Sequence, residues 1–370
     1  MVKKRNEGLK IWYVIFSLMI IWFLSSNAGA EDISNILSPA LIEDGMIVSF
    51  GPKETLERTG KEPPPLKKNT PIKVGFCPTA MDTFYDIVIA GAKTAVDELG
   101  GKAVIDLVIQ APSSQSAIAE SMNIVEGWIQ QNYDAICLAV ANDQMMNPAY
   151  RAAAKKGIPV FHFNTPYQAT VNPYFISNVG YHQEEAGRLM GLWLVKNVGS
   201  EPTNVVVLRG LPGIHDTQRI NGFNKAIEKF PNIKLIAQQP ADWTRAKGQS
   251  VMENLLTAYA DKIDYVWGLY DEMSLGGLAA IKGRGLEKKI KVIGYDLTED
   301  AYDAIKNREG YYASVNTAPK EMGYNLIMAV KKYVIDGEMV PKVINSKLAV
   351  WDKTNINQFD PNAYKYVPRN

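Results

Sequence analysis

One pattern constrains this chain more than any other. From Pro71 onward, apolar runs of strand length alternate with amphipathic stretches of helix length. In the second half the alternation is explicit: IKLIAQQ-PADW precedes TRAKGQSVMENLL, IDYVWGLY runs into DEMSLGGLAAI, and KVIGYD runs into LTEDAYDAI. Strands alternating with helices of ten to fifteen residues specify parallel sheets covered by helices. Ten or so such strands exceed one comfortable sheet, so the expected fold class is α/β with two similar doubly wound parallel-sheet lobes. Each of the three units ends its strand in Trp, Tyr or Asp just before a helix. Such turns gather at the carboxyl edge of a parallel sheet, where ligands bind.

Three first-half units extend the alternation. IKVGFC, KAVIDLVIQ and AICLAV are strands, separated by helices TFYDIVIAGAKTAVDELGG and SAIAESMNIVEGWIQQN. The helix of MNPAYRAAAKKG leads to strand IPVFHF. A second series begins near Tyr174 with FISNV, continues through EEAGRLMGLWLVKNV, NVVVLRG and TQRINGFNKAIEKF, and closes with strand YYASVNT and helix KEMGYNLIMAVKKYVIDG.

Residues 1–30 combine a basic start, the apolar run IWYVIFSLMIIWFLS and a terminal A-x-A pattern. This is a secretory signal with expected cleavage after Ala30, an uncleaved anchor being the alternative. Residues 31–70 lack sustained periodicity and end in GKEPPPLKKNTP. They are expected to form an arm, partly ordered at most. The leader holds four of the 40 Lys/Arg and one of the 39 Asp/Glu, leaving 36 basic and 38 acidic residues, a net charge of −2. That balance gives no bulk attraction for nucleic acid or anionic membrane. Cys77 and Cys137 both lie in strand-like apolar runs and read as buried free thiols.

The turn residues suggest the ligand. The flat faces of Trp243 and Tyr270, beside the carboxylates of Asp271 and Asp296, suit a small polyhydroxylated molecule. A ring can lie on the C–H face of a sugar while a carboxylate accepts from its hydroxyls. Asp271 stays open between helix cap and ligand contact.

QQPADWTRAKGQSVMENLLTA, YDEMSLGGLAAI and VIGYD, with VGFCPTAMDTFYDIVIAGAKTAVDELG and KGIPVFHFNTP, resemble the ribose- and galactose-type periplasmic sugar-binding proteins of bacterial uptake systems. The resemblance spans roughly 71 to 344. It implies a type I periplasmic binding protein fold: lobes of residues 71–178 plus 318–346 and 179–317 plus 347–370, joined by a three-segment hinge near Asn178, Thr317 and Lys347. It also implies Asp82 as a hydroxyl acceptor, Phe84 and Trp243 stacked on opposite ligand faces, and Asp296 as a bidentate acceptor. Tyr85 belongs to the same MDTFY element, and one of Phe84 and Tyr85 can belong to the core. Arg219 matches a family arginine with a one-residue gap; without the gap Thr217 takes its place. Asn164-Thr165, Tyr270 and Thr317 beside Asn316 depart from the family pattern. They remove charge and amide groups and add an aromatic, which argues against ribose itself.

No G-x-G-x-x-G follows the first strand, and RGLPG has glycines at the wrong spacing, so a tight turn explains them. His162, His182 and His215 are scattered and read as structural. No G-x-S-x-G is present. The expectation is therefore a non-enzymatic, cofactor-free and metal-free monomer that binds a sugar, polyol or related ligand in an interlobe cleft in the periplasm. It would deliver that ligand to an ABC transporter permease, touching the membrane only through the permease or an uncleaved leader. A sensor feeding a chemoreceptor or kinase is the runner-up. A sugar-modifying enzyme is the alternative of a different class. A sugar-responsive repressor would need an N-terminal helix-turn-helix where the leader stands.

Overall fold

A computed structural model describes residues 41–52, 56–140, 142–166, 173–259, 261–366 and 368. The leader and its expected cleavage point lie outside them. The alternating pattern becomes two sheets. The first holds β3 (Ile72–Cys77), β4 (Ile105–Ile109), β5 (Ala135–Leu138), β6 (Val160–Phe163), β7 (Phe175–Gly180) and β13 (Val343–Asn345). Its order is β13-β7-β6-β5-β3-β4, parallel throughout. The second holds β1 (Ile42–Glu43), β2 (Met46–Ser49), β8 (Thr203–Arg209), β9 (Ile233–Pro240), β10 (Tyr265–Gly268), β11 (Lys291–Asp296), β12 (Tyr311–Asn316) and β14 (Leu348–Asp352). Its order is β1-β2-β14-β12-β11-β10-β8-β9, with β8 to β12 parallel and β14, β2 and β1 antiparallel at the edge. Strands covered on both faces read as continuous apolar runs, as in Val205-Val206-Val207-Leu208, all fully buried.

Strand order reverses between β3 and β5 in one sheet and between β8 and β10 in the other. Those switch points splay the following loops apart and open a crevice beyond the strand ends. β7 remains in the first sheet through Gly180, which pairs with Asn345. The series read as starting near Tyr174 therefore begins its own sheet only after that strand. LAVWD, unread as a strand, is β14. Phe76 pairs with Cys137 and Cys77 with Leu138, so the two thiols point to opposite faces of the sheet and stay free. Burial pushes the Cys77 thiol up to about 12.

The arm was expected to be partly ordered at most, and part of it lies outside the described residues. Its described part is anchored at both ends. β2 pairs with β14 in the second sheet, burying Ile47 and Val48. The chain then reaches the first sheet's side. Leu66 N–H donates to the Tyr333 carbonyl (2.9 Å) and Lys68 N–H to that of Val334 (3.0 Å). Arg58 donates to the carbonyls of Ile176 and Val340. Lys342 Nζ lies 2.5 Å from Glu62, with side chains only 5% and 3% exposed. Polar backbone at 58–68 thus finds partners on the body, which the proline-rich composition did not reveal. The last residues also bridge. Tyr364 donates to the Leu297 carbonyl (3.0 Å), while Lys320 donates to the carbonyls of Asn362 and Lys365 (2.7 and 2.8 Å). Tyr366 donates to Asp97. Among the described residues no helix is long and apolar enough to cross a membrane.

Burial alone would raise the Glu62 carboxyl, but Lys342 and backbone N–H groups hold it down, to about 2. Glu62→Ala leaves a buried ammonium without its acid and is expected to destabilise the protein by about 3 kcal/mol. Thermal denaturation checks this, with Glu62→Ala/Lys342→Met recovering part of the loss.

Candidate functional site: an interlobe cleft

The carboxyl edges of the two sheets enclose a cavity of about 530 Å³, within the range of small-molecule sites. From the first sheet's side come Thr79, Asp82, Phe84, Tyr85, Asn164 and Thr165; from the second come Arg219, Trp243, Tyr270 and Asp296. Asn164, Trp243 and Asp296 follow or end strands β6, β9 and β11. All three have left-handed backbones, with φ of 46°, 61° and 97°. Non-glycine residues in that region are strained, and such strain collects at ligand sites.

Asp82 caps helix α1 (Thr83–Glu98), one oxygen accepting from Tyr85 N–H at 2.9 Å. The other faces Gln115 Nε2 at 3.5 Å. Burial pushes this carboxyl up to about 6; Tyr85 N–H opposes the rise and Asp296 across the cleft adds to it. Asp296 is held by the Thr317 hydroxyl at 2.8 Å, with Arg219 Nη1 3.8 Å from its other oxygen. Burial raises it too, with Arg219 and Thr317 pulling back.

Arg219 lies on α5 (Ile214–Ile227). It donates to Gln183 (2.8 Å), Tyr181 (2.7 Å) and the Leu269 carbonyl, with its guanidinium 4.0 Å from the Tyr295 ring centre and 5.1 Å from that of Trp243. α5 packs tightly on α4 (Gln183–Val198) because Gly187 carries no Cβ; one there would come within 2.0 Å of the Arg219 carbonyl oxygen. Of the two alternatives, Arg219 lines the cavity. Thr217 spends its hydroxyl on the Gly213 carbonyl and does not line the cavity.

Gln183 continues the network. It donates to Asn164 (3.3 Å), Asn164 donates to Tyr85 Oη (3.1 Å), and Thr79 donates to the same oxygen (3.0 Å). A buried polar chain therefore runs from Arg219 to Thr79, from one sheet's side to the other. Two further bonds tie the rims: His215 Nε2 to the Asn164 carbonyl (2.8 Å) and Thr83 to Glu272 (3.3 Å). A carbonyl only accepts, so His215 carries its proton on Nε2. Burial, then Arg219, push this imidazole down to about 4.

Eight of the ten expected residues line the cavity: Asp82, Phe84, Tyr85, Asn164, Arg219, Trp243, Tyr270 and Asp296. Two do not. Asp271 is fully buried and accepts from Tyr295 N–H and Thr298 N–H (2.7 Å each), Tyr311 (2.6 Å) and Ser314 (2.9 Å). These four donors make it a brace for the turn after β11, and it does not line the cavity. Thr317, also fully buried, orients Asp296 from behind. His215 and Leu211-Pro212-Gly213 line the cavity, although the sequence read them as structural and as a tight turn. Gln115, Asn142 and Asp143 were missed; they sit on loops with no periodicity to mark them.

Paired sheets with a ligand-sized cavity between their carboxyl edges define a two-lobed solute-binding architecture. The sequence agrees: residues 74–339 match the family model described as a periplasmic binding protein domain, and the chain belongs to that family. It is 30% identical to the galactofuranose-binding protein YtfQ of Escherichia coli over 287 residues, covering 76% of this chain and 88% of that protein. It is 29% identical to the ribose import binding protein RbsB of Bacillus subtilis, covering 73% and 83%. Among solved structures it resembles an ABC transporter periplasmic solute-binding protein from Actinobacillus succinogenes with bound D-allose: TM-score 0.72, 25% identity, 78% of this chain and all of that one.

Two outcomes are expected. Asp82→Asn keeps the helix cap and removes a charge that burial disfavours. The folded carboxyl sits at about 6 against an ordinary 3.8. Its penalty is absent below about pH 4, grows through the interval and is complete above 6. Asp82→Asn therefore raises the stability of ligand-free protein at pH 7 but not at pH 4, read by denaturant unfolding at both. Gly210→Ala places a Cβ 1.9 Å from Trp243 Cζ2, so the ring must move. Tryptophan fluorescence should change and ligand affinity fall at least tenfold.

Proposed function

We propose that this chain is an exported receptor that closes on a neutral sugar or polyol and delivers it to an ATP-driven permease. The observation that carries this is the composition of the cleft: three acids, Asp82, Asp143 and Asp296, one buried arginine and aromatic residues from both sides, around about 530 Å³. Carboxylates accept from sugar hydroxyls, Arg219 donates, and Phe84 and Trp243 offer ring faces. Three acids against one arginine disfavour phosphorylated or acidic ligands. The names of the similar proteins, which concern galactofuranose, ribose and D-allose, support a sugar.

In this reading residues 71–178 with 318–346 and residues 179–317 with 347–370 form the moving lobes, and the protein acts as a monomer. The leader is removed after Ala30. Ligand that touches both rims favours the closed form by its differential affinity. Binding without turnover fits a cleft whose polar groups are acceptors and donors held in place by one another. Mass spectrometry of ligand released from freshly purified protein identifies what it carries. Titration calorimetry with that ligand should show Trp243→Ala and Asp296→Ala each at least tenfold weaker, about 1.4 kcal/mol. Affinity unchanged in both variants excludes this cleft, and a scattering profile indifferent to ligand excludes closure.

A further inference from the structure

The cavity has two ends. Asn164, Arg219 and Asp296 at its inner end are buried, whereas Ser116, Asn142, Gln144 and Pro212 at its mouth are exposed. Even at the share of about 30 Å³ that a water molecule takes in the liquid, the twelve non-hydrogen atoms of a hexose fill no more than about 360 Å³. A cavity of about 530 Å³ therefore has room beyond one sugar ring, toward the mouth.

An acid stands there. Asp143 follows β5 and lines the cavity, with its side chain 13% exposed. Its Oδ1 accepts from Tyr150 Oη at 2.8 Å, and His162 Nε2 lies 2.9 Å behind that phenol. Tyr150, on α3 (Asn147–Lys155), is fully buried, and His162, on β6, nearly so. The phenol has one proton and gives it to the carboxylate, so His162 donates to Tyr150 from Nε2. Burial pushes this imidazole down and keeps it neutral. Among the described residues it is also the one basic group within ion-pair distance of Asp143, at 3.6 Å from the same Oδ1. None of those residues bonds Oδ2, and that oxygen is not sealed in. Apolar side chains at 150 and 162 would fill the same space. Two buried polar groups in line behind one carboxylate oxygen instead fix where the other one faces.

The neighbours define what suits it. Gln115, Asn142 and Gln144 bring amides that donate and accept, while Asp143 only accepts. A hydroxyl satisfies both kinds of group. Leu211 and Pro212 add an apolar cover from the opposite rim. We propose that the mouth is a second subsite with Asp143 as its acceptor, and that the ligand carries a second hydroxyl-bearing unit bound there, as in a disaccharide. This rests on the sugar-receptor reading and extends it. Tyr150 and His162 are positioning residues that act through Asp143.

Titration calorimetry compares D-ribose, D-galactose and D-allose with lactose, melibiose, maltose and trehalose. One disaccharide should bind at least tenfold more tightly than the tightest monosaccharide. Asp143→Asn keeps an acceptor for Tyr150 and should lose at least tenfold more affinity for that disaccharide than for the monosaccharide. Tyr150→Phe leaves the acid but removes its support, and should show the same split at smaller size, whereas a merely structural role would weaken both classes alike. A gain below tenfold for every disaccharide overturns the second subsite, as does Asp143→Asn protein that weakens both classes alike or neither; the receptor reading then stands. Wild-type protein that binds none of the seven overturns both.

Discussion

The buried polar chain from Arg219 through Gln183, Asn164 and Tyr85 to Thr79 is what the site depends on. Each member is desolvated, and each is acceptable there only because the next supplies its missing bond. Apolar packing would close the floor of the cleft equally well but would not fix the angle of Arg219 or the tilt of Tyr85. The network also couples the sheets. Gln183 opens α4, the first helix after the crossing from β7, and touches both Arg219 on α5 and Asn164 beyond β6.

Charge is arranged around that floor with a deficit of cations. Asp296 raises Asp82 across the gap, and only Asp296 has Arg219 nearby. In the empty cleft this is unfavourable, and hydroxyl donors relieve it. Stability and affinity therefore pull in opposite directions at the same atoms. The left-handed backbones of Asn164, Trp243 and Asp296 follow the same logic. Strain at these strand ends places three side chains around one space.

Most of this architecture is legible in the sequence because parallel strands leave unmistakable apolar runs and because cavity-lining residues cluster where those runs stop. Trp243, Tyr270 and Asp296 are found that way. Asp271 shows the limit. A carboxylate at a strand end looks the same in one dimension whether it faces a ligand or accepts four protein donors. Thr317 and Gln183 show another: a residue acting from behind the site has no pattern of its own. The contacts of the arm are another such case: they go to partners nearly three hundred residues away, Tyr333, Val340 and Lys342, which local periodicity does not report.

Those distant partners bear on how the polypeptide is made. The first sheet lacks its edge until Val343–Asn345 exists, and the second borrows Met46–Ser49 from the start of the chain to cover Leu348–Asp352. During synthesis neither half can be completed while the other is still emerging, so early segments wait with exposed strand edges for late ones. For a member of an exported family that delay is useful. A chain that locks only when nearly all of it is present stays open and threadable until its last strands have emerged.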